Sequence, residues 1–162
     1  MSLPENDYQI LKLTDAFYNA YPNPPYTEVL KKGQRAYNCL LFQTHYDYFI
    51  CIPYRTEIRH RYAFHFTNTK RSKLHRSGLD YSKIVIIDKI DYIGSVDALV
   101  DKDEFNETMV NLDRIKREAL NYVEGYVEHK KGIKQLHKKE FDRRYGFSPL
   151  KYFHKELGIY EI

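Results

Sequence analysis

The sequence predicts an α+β domain: a compact antiparallel sheet or barrel-like β-core, with a long helix and short C-terminal helices packed on it. Three observations lead there. The chain has 162 residues, 43% of them hydrophobic and 30% charged, which fits one globular domain over 1–162 and excludes fibrous or wholly disordered classes. Short apolar or alternating runs crowd the first part of the chain. After Val100 the apolar period becomes helical.

Taken in order, 8–13 reads as a short strand. Thr14 is then the expected N-cap, with Asp15 in the first turn of a brief helix ending at Ala20. Residues 21–26 (YPNPPY) hold three prolines, which remove donors and preclude regular structure. Residues 31–35 (KKGQR) continue as a basic loop. Two nearly continuous apolar runs, 36–43 and 48–53, predict central strands joined by a turn near His45 and Asp47. Residues 62–67 alternate, with Tyr62, Phe64 and Phe66 on one face and Ala63, His65 and Thr67 on the other. A basic loop is expected at 68–78, a buried strand at 83–88 and a short edge piece at 91–94. From Phe105 through Met109, Leu112, Ile115, Ala119, Tyr122 and Val123 to Tyr126, an apolar stripe predicts one helix over 102–130. Asp101 and Glu104 have the spacing of a capping box. Two short helices are expected at the end: one over 137–145 with Gly146 after it, one with Ser148 as N-cap, Pro149 at the first position and Gly158 as the stop.

The net charge is only +4, but it is unevenly placed. Between residues 55 and 83 stand Arg55, Arg59, Arg61, Lys70, Arg71, Lys73, Arg76 and Lys83 against only Glu57 and Asp80, a local +6 on a chain otherwise at −2. Such a block points to a polyanion-binding face. The 16 Tyr and 9 Phe are expected mainly in the core, with base stacking a minority use. Cys39 and Cys51 lie in apolar runs without metal spacing, so buried free thiols in a reducing compartment are expected. With no signal-peptide pattern and no long apolar span, the expected location is the cytoplasm, without membrane contact.

Phosphate-cradling glycine loops, GxSxG, HExxH and Mg²⁺-type carboxylate clusters are all missing, and the seven glycines stand singly. Neither a cofactor nor a metal is therefore expected. The chemistry concentrates in CIPYRTEIRHRYAFHF, where Arg55, Thr56, Arg59, His60 and Arg61 follow a strand ending at Pro53. Cutting RNA without a metal needs a base for the 2′-hydroxyl, an acid for the leaving 5′-oxygen and fixed cations around the phosphorane. His and Arg supply those roles, and a hydroxyl such as Thr56 can donate to a phosphate oxygen. His65 either faces the same mouth or is a satisfied sheet residue. His75, among lysines and arginines, reads as electrostatic. In RSGLDYSK, Ser77, Asp80, Tyr81, Ser82 and Lys83 gather hydroxyls, a carboxylate and an ammonium. Asp80 either orients an Arg or His or is an ordinary turn residue. Arg35 stands where it can close the other side of the cleft.

At PYRTEIRHRYAFHF followed by RSGLDYSKIVIID, the chain resembles the toxins of type III toxin–antitoxin systems, the ToxN/AbiQ-like endoribonucleases, and most closely their CptN branch. The likeness runs from the early strand through the proline loop before RAYNCLL to the closing SPLKYFHKELG. It implies a MazF/Kid-like barrel core and a metal-independent endoribonuclease that leaves 2′,3′-cyclic phosphate. It also implies a repetitive, pseudoknotted RNA antitoxin, processed by the toxin and held with it in a closed hetero-oligomer, with cellular RNA as the other substrate. Against the ToxN branch, Thr56 matches the second residue of a Thr-Ser hydroxyl pair and Arg55 replaces the first. The family's lysine position falls near Ile58 and Arg59, leaving its role to Arg59 or His60. Arg35 matches a basic residue before the corresponding strand. Catalysis is thus expected from Arg55, Thr56, Arg59 and His60. RNA contacts are expected from Arg35, Arg61, His65, Lys70, Arg71, Lys73, Arg76, Ser77, Asp80, Tyr81, Ser82 and Lys83. The residues themselves leave two other readings open: a non-catalytic RNA-binding module built on the same cations and aromatics, and an interaction protein using the long helix.

Overall fold

The computed structural model describes residues 8–31, 37–95 and 97–160. The two most continuous apolar runs form its centre. β2 (Cys39–Gln43) and β3 (Phe49–Arg55) pair antiparallel from Cys39↔Pro53 to Gln43↔Phe49. β1 (Gln9–Leu11) lies on the outer side of β2. The other edge of β3 is shared by two strands. β6 (Val85–Ile87) takes Phe49, Ile50 and Cys51, while β5 (Gly78–Asp80) takes Tyr54 and Arg55. β4 (Ala63–His65) then pairs with β5. Tyr54 N–H donates to Asn38 O at 2.8 Å on the β2 side, so neighbouring Pro53 faces the gap between β6 and β5. A missing N–H costs nothing there.

The sheet is thus antiparallel with six strands, and the expected closure into a barrel does not occur among the described residues. β1 and β4 end the strand path and do not pair with each other. Strands of three residues at both ends are too short to curl round and meet.

α1 (Asp15–Ala20) begins after Thr14 as expected, but the Thr14 side chain donates to Asp91 O at 2.6 Å and does not cap the helix. That bond and the Leu13↔Ile93 bridge tie the early strand to residues 91–94. Residues 68–78, expected as a loop, contain α2 (Lys70–His75). Its start is set by Thr69 and Ser72, whose side chains bond each other's backbone N–H groups.

The expected single helix over 102–130 is two: α3 (Lys102–Val110) and α4 (Leu112–Lys130), parted at Asn111. α4 buries Ile115, Ala119, Tyr122, Val123 and Tyr126, the stripe seen in the sequence. α3 instead buries Glu104, Glu107 and Thr108 and leaves Phe105 partly exposed. The Asp101–Glu104 capping box does not form, because both carboxylates turn to Arg71, at 3.1 and 3.7 Å.

α5 (Lys138–Tyr145) locks onto α4 by a reciprocal pair: Tyr145 hydroxyl to Tyr122 O at 2.7 Å and Tyr122 hydroxyl to Arg144 O at 2.6 Å. The last expected helix is a 3-10 turn, Pro149–Tyr152, capped by Ser148, and Gly158 stops the following turns at φ +71°. One hydrophobic cluster joins sheet and helices and takes in most of the aromatic rings. Cys39 and Cys51 are buried free thiols, and burial pushes the Cys51 thiol up. Among the described residues no helix is long and apolar enough to cross a membrane.

Candidate active site

The segment after β3 crosses over the end of the sheet and returns as β4, while β5 runs between them. That path sets Asp80 of β5 beside Arg55 of β3 and beneath His60 of the crossing loop. Asp80 has no exposed side-chain surface, against 26% for Arg55 and 35% for His60. Its Oδ2 accepts from Arg55 Nη1 at 2.6 Å. Its Oδ1 accepts from Ser82 N at 3.0 Å and Ser82 Oγ at 2.6 Å, with His60 Nε2 at 3.2 Å. Burial alone would raise this carboxyl, but the bonds from His60, Ser82 and Arg55 outweigh it and hold Asp80 below the usual range. Asp80 is both things the sequence allowed, an Asx-type turn residue through Ser82 N–H and the partner that orients an Arg and a His.

The hydrogen bonds also place the imidazole protons. His60 Nδ1 accepts from Tyr62 N–H at 3.0 Å, so the neutral ring carries its proton on Nε2, toward Asp80 and Ser82. His60 in this arrangement is a hydrogen-bond donor to Asp80 and Ser82 without an open lone pair. His65 Nε2 must donate to His60 O at 2.8 Å, because a carbonyl only accepts. Its Nδ1 is then the basic nitrogen, with no hydrogen bond from any described residue. His65 shares a row with Gly78 and Arg55 across three strands. Gly78 is required in that row, since a Cβ there would overlap Phe64 O.

Arg55 also reaches a cleft of about 310 Å³, which it lines with Lys12, Asn38, Thr56, Arg71 and Glu104. Thr56 is therefore near Arg55 but outside the Asp80 network. Arg59 is 76% exposed and turned to Glu57 at 3.6 Å, away from that network. Ser77, Asp80, Tyr81 and Ser82, expected to touch RNA, are buried and support the site from beneath. The Tyr81 hydroxyl donates to Glu118 at 2.8 Å. Lys83 Nζ donates to Phe147 O at 2.7 Å, and burial lowers its pKa. Arg35 lies outside the described residues.

The basic block is partly neutralised, by its own Glu57 and by carboxylates distant in sequence. Arg61 lies 3.8 Å from Glu140, and His75 Nδ1 2.8 Å from Glu57. Arg71 takes Asp101 and Glu104, and the backbone N–H of Lys70 donates to Asp103. Glu107 accepts from Thr67 N and Asn68 N, fixing the entry to α2. Sequence reasoning missed this acidic support, although Glu104, Glu107 and Thr108 at i, i+3 and i+4 marked a polar face of α3. Among the described residues no group of three or more His, Cys, Asp or Glu side chains is placed to hold a metal ion. Comparison with known proteins finds no match: none to a family model, none to a curated protein and none to a solved structure.

Proposed function

We propose that the chain is a metal-independent endoribonuclease. The observation that carries this reading is the wholly buried Asp80 carboxylate, which holds the partly buried Arg55 and His60 beside a second imidazole, His65, with an open nitrogen. In RNA transesterification His65 Nδ1 takes the 2′-hydroxyl proton, and the 2′-oxygen attacks phosphorus. Arg55 balances the charge on the phosphorane. The bond to the 5′-oxygen breaks, and that oxygen takes its proton from a solvent water, which the His65 imidazolium reprotonates; His60, held by Asp80 and Ser82, positions His65 through its backbone carbonyl. The products are a 2′,3′-cyclic phosphate and a free 5′-hydroxyl. Thr56, in the cleft beside Arg55, donates to a phosphate oxygen, and Arg59 meets RNA farther out.

Within that class the reading is a toxin of a type III system, of the ToxN/AbiQ-like kind and nearest the CptN branch. Its partner is then a repeat-derived pseudoknot RNA that it processes and that inhibits it in a closed assembly in the cytoplasm. The likeness in PYRTEIRHRYAFHF and RSGLDYSKIVIID supports this. So does the antiparallel sheet with helices on it, of which a MazF-like core is the finer form. His65→Asn lowers the cleavage rate by about 10²–10⁴-fold with RNA affinity retained. Wild-type protein that binds RNA but never cuts it, whatever its upstream repeat, makes the chain an RNA-binding module instead.

A further inference from the structure

A second concentration of positive charge gathers on one carboxylate of α5. Glu140 meets Arg144 Nη2 at 2.9 Å and Arg61 Nη2 at 3.8 Å on one oxygen, and Arg143 Nη1 at 3.2 Å on the other. Three guanidiniums against one carboxylate leave an excess of two positive charges. Arg144, the closest and least exposed of the three, neutralises Glu140. The Arg61 and Arg143 side chains are 72% and 63% exposed, and open pairs of that kind are weak enough for a phosphate to take over their donors. The cluster adjoins the site already described. The Arg61 guanidinium lies 5.3 Å from the Tyr62 ring centroid and that of Arg144 6.0 Å, while the Tyr62 ring stacks on the His60 ring at 6.0 Å. Beyond the arginines α5 presents an aromatic ring. Gly146 stays helical (φ −58°, ψ −30°), which sets Phe147 one turn past Arg143 on the same face. Phe147 is 77% exposed, yet its backbone is fixed: its carbonyl accepts from Lys83 Nζ at 2.7 Å, and the next N–H, of Ser148, donates to Tyr145 O at 3.0 Å.

We propose that α5 and Arg61 form a second RNA contact, in which Arg61 and Arg143 hold backbone phosphates and an unpaired base stacks on Phe147. The inference rests on the nuclease reading for the strand that reaches His65, and it extends that strand past Tyr62 onto α5. Guanidinium forks match phosphate oxygens. A fixed aromatic ring beside such cations is how single strands are held without regard to sequence. An acidic peptide could use the arginines but has no base to lay on Phe147. Arg143 and Phe147 both stand outside the basic block of residues 55–83, so the RNA surface does not end with that block. Glu140 restrains the contact: it cancels one of the charges that face the phosphates, and its neutralisation strengthens the hold on RNA.

The test is fluorescence anisotropy of the full chain with a labelled single-stranded 2′-O-methyl oligoadenylate, which has no 2′-hydroxyl to react. Arg143→Ala should weaken binding about fivefold or more and reduce the log–log salt slope by about 0.7. Lys138→Ala, which removes the same charge from another face of α5, should change it by less than about twofold. Glu140→Gln should tighten binding by about twofold or more. Phe147→Ala should weaken the oligonucleotide about fivefold or more and leave the affinity for inorganic polyphosphate unchanged. Lys138, Arg143 and Phe147 are exposed, so these variants keep the fold. An Arg143→Ala effect no larger than that of Lys138→Ala, no tightening in Glu140→Gln, or a Phe147→Ala change that is absent or equal for both ligands overturns the proposal. Cleavage is scored separately on unmodified RNA. Binding that depends on α5 without cleavage sinks the nuclease reading and keeps the contact; cleavage with binding indifferent to Arg143 and Phe147 does the reverse.

Discussion

Asp80 illustrates how much one buried carboxylate can organise. Its two oxygens take four donors, from Arg55, His60 and twice from Ser82, and no water reaches it. Asp80→Ala strands those donors, and urea unfolding at pH 7 should show a loss on the order of 1–3 kcal/mol. The same carboxyl sets a pH dependence. Its folded-state pKa lies below the ordinary 3.8, so its contribution is fully present above that value and fades as pH falls through the depressed folded one. The gap in melting temperature between wild type and Asp80→Asn should therefore be constant near neutrality and close only below about pH 4. At this scale the sequence was half legible. Asp80, His60 and Arg55 stood out as chemistry-bearing residues, and Asp80's isolation among bases hinted at its role. Their meeting depends on β5 lying against β3, a pairing that no local pattern encodes. Which imidazole keeps an open nitrogen depends on Tyr62 N–H and His60 O, backbone groups that no residue spacing reveals.

Elements were most legible where burial is apolar. β2, β3, α4 and the α5 boundary follow directly from periodicity and punctuation. α3 was misjudged because its buried face is polar, serving the backbone of residues 67–70 in place of the hydrophobic core. α2 was missed because six residues carry no period, and its only signal was the Thr69–Ser72 box. If Glu107 holds that region, Glu107→Ala should cost on the order of 1–3 kcal/mol and speed hydrogen exchange at the Thr67 and Asn68 amides above all others. The β4–β5 contact has a comparable weak point at Gly78, where no side chain fits beside Phe64 O. Gly78→Ala should lower stability by about 1–3 kcal/mol, with exchange rising first in β4.

For the molecule as a whole, the modest net charge of +4 conceals a block whose arginines are largely held by carboxylates from α3, α5 and Glu57. Exposed pairs of that kind are weak, so a polyphosphate can displace the acids at Arg59 and Arg61. The Lys73 and Arg76 side chains, exposed around α2, have no carboxylate partner among the described residues and should contact phosphate without loss. RNA affinity should accordingly fall steeply with salt, and Lys73→Ala with Arg76→Ala should reduce the log–log slope by about 0.7 for each contact removed. Charge-based affinity of this kind would serve a binding module equally well. What separates an enzyme from it is the open His65 imidazole beside the Asp80, Arg55 and His60 cluster. The decisive measurement is incubation of the purified chain with its upstream repeat RNA in EDTA, followed by analysis of the fragment ends. The arrangement predicts cleavage in EDTA with 2′,3′-cyclic phosphate and 5′-hydroxyl ends, lost in His65→Asn. Cleavage that is absent in EDTA and restored by Mg²⁺, or that leaves 5′-phosphate ends, would contradict it.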